Sequence, residues 1–175
     1  MNLIYVTNRN AYSTEQLIKK IAAEQWNIPS PVLLRNEHGK PYFQDNHLQG
    51  MPHFSVAHTK DKLFAVFSKA PIGLDAECKH RKVDYQRLLR RVDATFPVEN
   101  HLDFLKLWTA KESVVKYLGK SIAANAKDVS FTPTFQNVCF DNELLPVTLT
   151  QLCYQDILIC VCSEEQSVFS ICELS

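Results

Sequence analysis

Two acids stand one residue apart in "GLDAE", residues 73 to 77, where an apolar stretch runs into a cluster of charge. If this segment is a strand, Asp75 and Glu77 point to the same face with their α-carbons about 6–7 Å apart. Carboxylates sharing a face repel each other, and a cation or a basic neighbour is what makes the arrangement cheap. Downstream, "LWTAKESVVK", residues 107 to 116, puts Glu112 and Lys116 one helical turn apart, about 6 Å along the axis. A third acid and a lysine meeting the strand acids would make a site for a metal-bound pyrophosphate. Oxygen-only ligands favour a hard ion such as Mg²⁺, and the lysine offsets phosphate charge. Each part also has a plainer reading. The strand acids can be a solvated end capped by Lys79, His80, Arg81 and Lys82, and Glu112 with Lys116 can be a surface ion pair.

Placing these side chains requires a strand under the first pair and a helix under the second. "NLIYVT" reads as a strand, and Ser13 or Thr14 caps a helix in which Leu17, Ile18, Ile21 and Ala22 recur with helical spacing. That helix ends near "NIPSP", where two prolines forbid its continuation. "RNEHGKPYFQDN" reads as a turn-rich loop, and "HFSVAHT", "LFAVFS" and "IGLDAE" as three successive strands. A helix over "DYQRLLRRVDATF" and a second from about Val98 to Leu118, stopped by Gly119, follow. The remainder is rich in β-branched and alternating residues and predicts a mostly antiparallel sheet. The order of elements hints at two similar α+β halves with a cleft between them, a common ligand site.

Composition narrows the partners less than the motifs do. The 175 residues are 46% hydrophobic and 22% charged, enough to bury a core. Lysine plus arginine equals aspartate plus glutamate at 19 each, so no overall field recruits nucleic acid or an anionic membrane. No leader pattern and no apolar run near ~20 residues is present, which predicts a soluble chain. The six cysteines form no CxxC pair, and Cys160 and Cys162 alternate within an apolar run. Reduced buried thiols and a cytoplasmic location are expected.

"GLDAE" followed by "WTAKESVVK" resembles the paired signature of the 4′-phosphopantetheinyl transferases. The likeness extends from "GKPYF" at 39 to 43 through "GKSI" at 119 to 122, and is looser through the C-terminal strands. It is similar to the monomeric two-subdomain type that activates peptide synthetases, in an N-terminally shortened form. The resemblance implies an α+β fold of two similar, pseudo-twofold subdomains, each a small mostly antiparallel sheet packed with a long helix, with the active site at their interface. In chain order these are residues 1–88, carrying the coenzyme A loop, the His58 strand and the Asp75/Glu77 strand, and residues 89–175, with the later helix and sheet. It implies a Mg²⁺-dependent enzyme, with Mn²⁺ as the alternative ion. The implied reaction transfers the phosphopantetheine arm of coenzyme A to a serine of an apo acyl or peptidyl carrier protein and releases adenosine 3′,5′-bisphosphate.

By the same resemblance Asp75, Glu77 and Glu112 are the metal ligands, and Glu112, Lys116 and Asp75 the catalytic residues. Glu112, or a metal-bound water, is the candidate base for the serine hydroxyl, and Lys116 lies near the transferred phosphate. Gly39, Lys40 and Pro41 of "GKPYF", His58 and Thr59 of "FSVAHT", and Lys116 are the coenzyme A contacts. Ala57 and Ser55 stand where the family usually has serine and asparagine. Arg9, Arg35 or Lys120 are the residues open to contact with the coenzyme A 3′-phosphate. "KHRK" and "QRLLRR" offer a basic docking surface for an acidic carrier helix, or a solvated helical face. The alternative to transfer is a relative that binds coenzyme A or a carrier protein without catalysis.

Overall fold

The computed structural model describes residues 2–44, 50–90, 92, 97–132 and 134–174. The chain begins with β1 (Asn2–Asn8) and α1 (Thr14–Trp26), then a hairpin of β2 (Leu33–Arg35) and β3 (Pro41–Phe43). Next come β4 (His53–His58), β5 (Lys62–Ser68) and β6 (Ile72–Cys78), then α2 (Tyr85–Leu89), α3 (His101–Tyr117) and α4 (Ile122–Asn125). The strands β7 (Val129–Phe131), β8 (Val138–Phe140), β9 (Glu143–Leu144), β10 (Thr148–Tyr154), β11 (Ile157–Ser163) and β12 (Phe169–Glu173) complete it.

Helix α1 starts where the cap chemistry requires. Ser13 Oγ accepts from the Gln16 N–H while Gln16 reaches back to the Ser13 N–H, a reciprocal capping box. It stops at Asn27, whose left-handed backbone, φ 55°, ends the helix before the prolines. Helix α3 starts at His101 rather than Val98, because Asn100 Oδ1 takes the Asp103 N–H and fixes the cap there. The expected helix over 84–96 is short: α2 covers Tyr85–Leu89, and residues 91 and 93–96 lie outside the described residues. Helix α4 carries too little periodic pattern to be read from sequence.

Four layers are stacked. Helix α1 lays Leu17, Ile18, Ile21 and Ala22 on one face of the sheet β12-β1-β5-β4, against Tyr5, Ala65 and Phe67. The other face of that sheet, with Ile4, Val6, Phe64 and Val66, packs on Leu74, Ala76, Ile157, Ile159 and Val161 of the sheet β10-β11-β6. Helix α3 covers the far side of this second sheet, where Phe104, Leu107, Ala110 and Val114 meet Leu158, Cys160 and Cys162. This explains why "LFAVF" and "ILICVC" are apolar at every position. Their strands are covered on both faces, so the usual alternation disappears. The fold is thus α+β, built as two helix-on-sheet units whose sheets face each other.

The sheets draw on both halves of the chain. β12 runs parallel to β1, with Ile171 opposite Ile4, and β6 pairs antiparallel with β11, with Asp75 opposite Cys160. The C-terminal strands therefore do not form one sheet: β12 joins the first sheet, β10 and β11 the second, and β7-β8-β9 stand as a third. All six cysteines are free, and no helix among the described residues is long and apolar enough to cross a membrane.

Candidate functional site

Gly73, Asp75 and Glu77 share the face of β6 that looks at α3, because a strand repeats every two residues. Gly73 is the point of closest approach. A Cβ there would lie 1.9 Å from the Ser113 carbonyl oxygen and 2.5 Å from the Tyr117 nitrogen, so only glycine lets the strand come this near the helix. The contact brings Asp75, two residues on, level with the helix side chains of Glu112 and Lys116. Lys116 Nζ lies 2.7 Å from Asp75 Oδ1 and 3.7 Å from Glu112 Oε2. From the other side, Ser55 Oγ accepts the Leu74 N–H at 2.9 Å and ties β4, the His58 strand, to β6.

The electrostatics follow from burial. Asp75 is 5% exposed, and its Oδ2 is buried without a hydrogen-bond partner. Burial and the adjacent Asp75 charge push Glu112 up to about 7, against the smaller opposing pull of Lys116. Glu112 therefore exchanges its proton near neutral pH. Burial draws Lys116 down, but Asp75 and Glu112 together outweigh it and hold the ammonium above its ordinary value. His58 is lowered by burial and then by Arg9 and Lys116, so its imidazole is neutral at neutral pH. Lys40 is brought down to about 8 by burial and the Lys116 charge.

Glu77 departs from the expected arrangement. Its carboxylate pairs with Arg81 rather than joining Asp75 and Glu112. Among the described residues no group of three His, Cys, Asp or Glu side chains is placed to hold a metal ion. This overturns the expected Mg²⁺ or Mn²⁺ site on Asp75, Glu77 and Glu112. The physical reason is that the chain's own cations neutralise the acids: the Lys116 ammonium stands between Asp75 and Glu112, and the Arg81 guanidinium occupies Glu77. The sequence signals were there, since Lys116 follows Glu112 and Arg81 follows Glu77 by four residues.

Two cavities meet at Glu112 and Lys116. One, of about 390 Å³, is lined by Arg35, His38, Lys40 and Pro41 among others. The second, of about 990 Å³, is lined by Arg9, Thr59, Asp75, Glu77 and Arg81 among others. His58, Glu112 and Lys116 border both, so the acid and lysine stand at the junction. Gly39 holds φ +81° in the turn between β2 and β3, and Lys40 Nζ donates to the Lys116 carbonyl. The Thr59 hydroxyl accepts the Lys62 N–H at 3.2 Å, and Arg9 donates to the Thr59 carbonyl at 3.3 Å. Ala57 is packed between the two sheets, away from either cavity. A third cavity, about 720 Å³, is walled by Lys79, His80, Arg81, Lys82, Tyr85 and His101; Arg91 of the expected basic surface lies outside the described residues.

The motif by itself assigns no role to Lys111, which stands directly before Glu112. Lys111 is fully buried, and its Nζ donates to the Ala126 carbonyl at 2.9 Å and to the Val129 carbonyl, with the Phe131 ring 5.8 Å away. It fastens the α4–β7 connection to α3. A lysine directly before Glu112 in an otherwise apolar helical stripe was the signal.

Arranged this way, the junction can take a proton on Glu112 and present cations to an anionic ligand from the smaller cavity. Among curated proteins the chain is similar to the 4'-phosphopantetheinyl transferase gsp of Aneurinibacillus migulanus, at 29% identity over 83% of this chain and 65% of that protein. It is also similar to the 4'-phosphopantetheinyl transferase ffp of Bacillus subtilis, at 26% identity over 61% of this chain and 50% of that protein. The chain thus matches less than two thirds of the length of either relative. A family model matches residues 71–162, which include β6, α3 and β11, the elements that bring Asp75, Glu112 and Lys116 together. The chain belongs to the 4'-phosphopantetheinyl transferase superfamily.

Proposed function

We propose that this protein transfers the 4′-phosphopantetheine arm of coenzyme A to a serine of an apo carrier protein. The serine oxygen attacks the phosphorus that bears pantetheine, a new P–O bond forms, and the bond to the leaving phosphate breaks, releasing adenosine 3′,5′-bisphosphate. Glu112 takes the serine proton, since a carboxylate raised to about 7 is a base matched to neutral pH. Lys116 and Lys40 face the phosphate oxygens and offset their charge, and Asp75 holds the Lys116 ammonium in place. In this reading the nucleotide end lies in the smaller cavity against Gly39, Lys40, Pro41 and His58. The serine-bearing segment enters through the larger one, past Thr59.

The observation that carries the reading is the position of Glu112 and Lys116, on the matched family segment and at the meeting point of the two cavities. The test is to incubate the protein with coenzyme A and an apo carrier, with and without a divalent salt, and to weigh the carrier by mass spectrometry. Addition of the arm's mass supports transfer; an unchanged carrier under both conditions overturns it. The close Lys116–Asp75 pair favours one other reading, a coenzyme A binder without turnover. Calorimetric uptake of coenzyme A beside an unmodified carrier would identify it.

A further inference from the structure

The turn between β2 and β3 is tied to the far end of α3, a contact between segments about eighty residues apart in sequence. Asn36 Nδ2 donates to the Gly119 carbonyl at 2.8 Å. Its Oδ1 accepts from the backbone N–H of His38 at 3.0 Å and of Lys40 at 2.9 Å. One amide thus uses its acceptor to shape the turn and its donor to hold that turn against the helix end. Lys40 adds a second tie through its Nζ to the Lys116 carbonyl. The first tie meets a carbonyl past the end of the α-helical ladder, where outside donors are needed; the second joins a carbonyl that also accepts the Gly119 N–H at 3.2 Å. Gly119, at φ +69°, turns the chain there, and a Cβ on it would lie 3.5 Å from Asn36 Nδ2.

We infer that Asn36 is a positioning residue: it fixes Lys40 against the end of α3, so that Lys40 and Lys116 meet an anionic substrate as a preset pair on one cavity wall. The inference rests on the reading that this cavity takes the phosphates of coenzyme A. Two lysines held beside each other before the substrate arrives have already met the ordering cost that binding would otherwise carry. No motif points to Asn36, and its distance from the acids hides it from any local reading of the sequence.

Lys40 itself reports the contact. Burial and the Lys116 charge lower it to about 8, and release of the turn into water would return it toward the ordinary lysine value. Two neutral variants separate the roles of the amide. Asn36→Ala loses both; Asn36→Ser keeps a short acceptor for the turn but cannot reach Gly119. Acylation of Lys40 by pulses of acetic anhydride, read by peptide mass spectrometry across pH, should show its midpoint near 8 in the parent protein and more than one pH unit higher in both variants. In the transfer assay both should raise KM for coenzyme A about tenfold, with KM for the carrier unchanged. Thermal melting identifies any variant that fails to fold, and Asn36→Ser then decides alone. An unmoved Lys40 midpoint in folded Asn36→Ser overturns the inference, as do equal changes in both KM values. A parent protein that transfers nothing sinks the functional reading alone, because the labelling locates Lys40 without it.

Discussion

Glu112 is the residue on which pH should act most visibly. Its folded carboxyl titrates at about 7, above the ordinary value of 4.5, because burial and Asp75 disfavour its charge. The folded state then holds a proton that the unfolded chain releases between these values. The stability Glu112 contributes is full below about 4.5 and is lost as pH rises through about 7. Asn or Gln at such a position has no proton to lose. Glu112→Gln should therefore gain stability relative to the parent on going from pH 5 to pH 8, by on the order of 2 kcal/mol in urea unfolding. Transfer by the parent should rise with pH through about 7 as the base is freed, and the variant should lose that limb together with ~10²-fold or more in kcat. A variant with parental turnover would remove Glu112 from the chemistry.

Between elements, the decisive contact is the approach of β6 to α3. Gly73→Ala would put a methyl 1.9 Å from a helix carbonyl, and strand or helix must move to admit it. The expected loss is about 3 kcal/mol of unfolding free energy, with transfer falling further than stability because Asp75 leaves Lys116. Parental stability in Gly73→Ala would show that the strand has room the structure does not give it. Lys111 acts from the same stretch of that helix, two residues before Ser113. Lys111→Met keeps the apolar stem and strips the donors from the Ala126 and Val129 carbonyls. Chemical unfolding should record a loss of about 3 kcal/mol, with KM for coenzyme A little changed in what remains folded. The caps that set α1 and the buried stripe Leu17, Ile18, Ile21 and Ala22 were legible in the sequence, since both depend on neighbours within a turn. The start of α3 was missed by three residues for the same kind of local reason: Asn100 outcompetes Pro97 as the boundary signal.

At the scale of the molecule, the basic wall of Lys79, His80, Arg81 and Lys82 lies beside the larger cavity and fits an acidic carrier helix under the proposed function. Lys82 and Arg90 are both exposed. Lys82→Glu with Arg90→Glu should raise KM for the carrier several-fold and leave KM for coenzyme A unchanged, with the effect fading as salt is added. Parallel changes in both constants would mark a general loss of folding instead. The sequence by itself determined the α+β class, the longer strands, the α1 cap and the spacing of "GLDAE" from "WTAKESVVK", because periodicity and turn chemistry act over a few residues; the short β2–β3 hairpin, which reads as a turn-rich loop, was not among them. Only the tertiary structure decided that β6 lies beside β11, that β12 closes on β1, and that Lys116 and Arg81 rather than a metal answer the acids. Strand partners are chosen by which faces the whole fold buries, and the Lys116–Asp75 pair by the approach of segments 41 residues apart, neither of which is written in a local run of residues. The Arg81–Glu77 pair, four residues apart, lies within local reach, and the fold decides only that no other group displaces it.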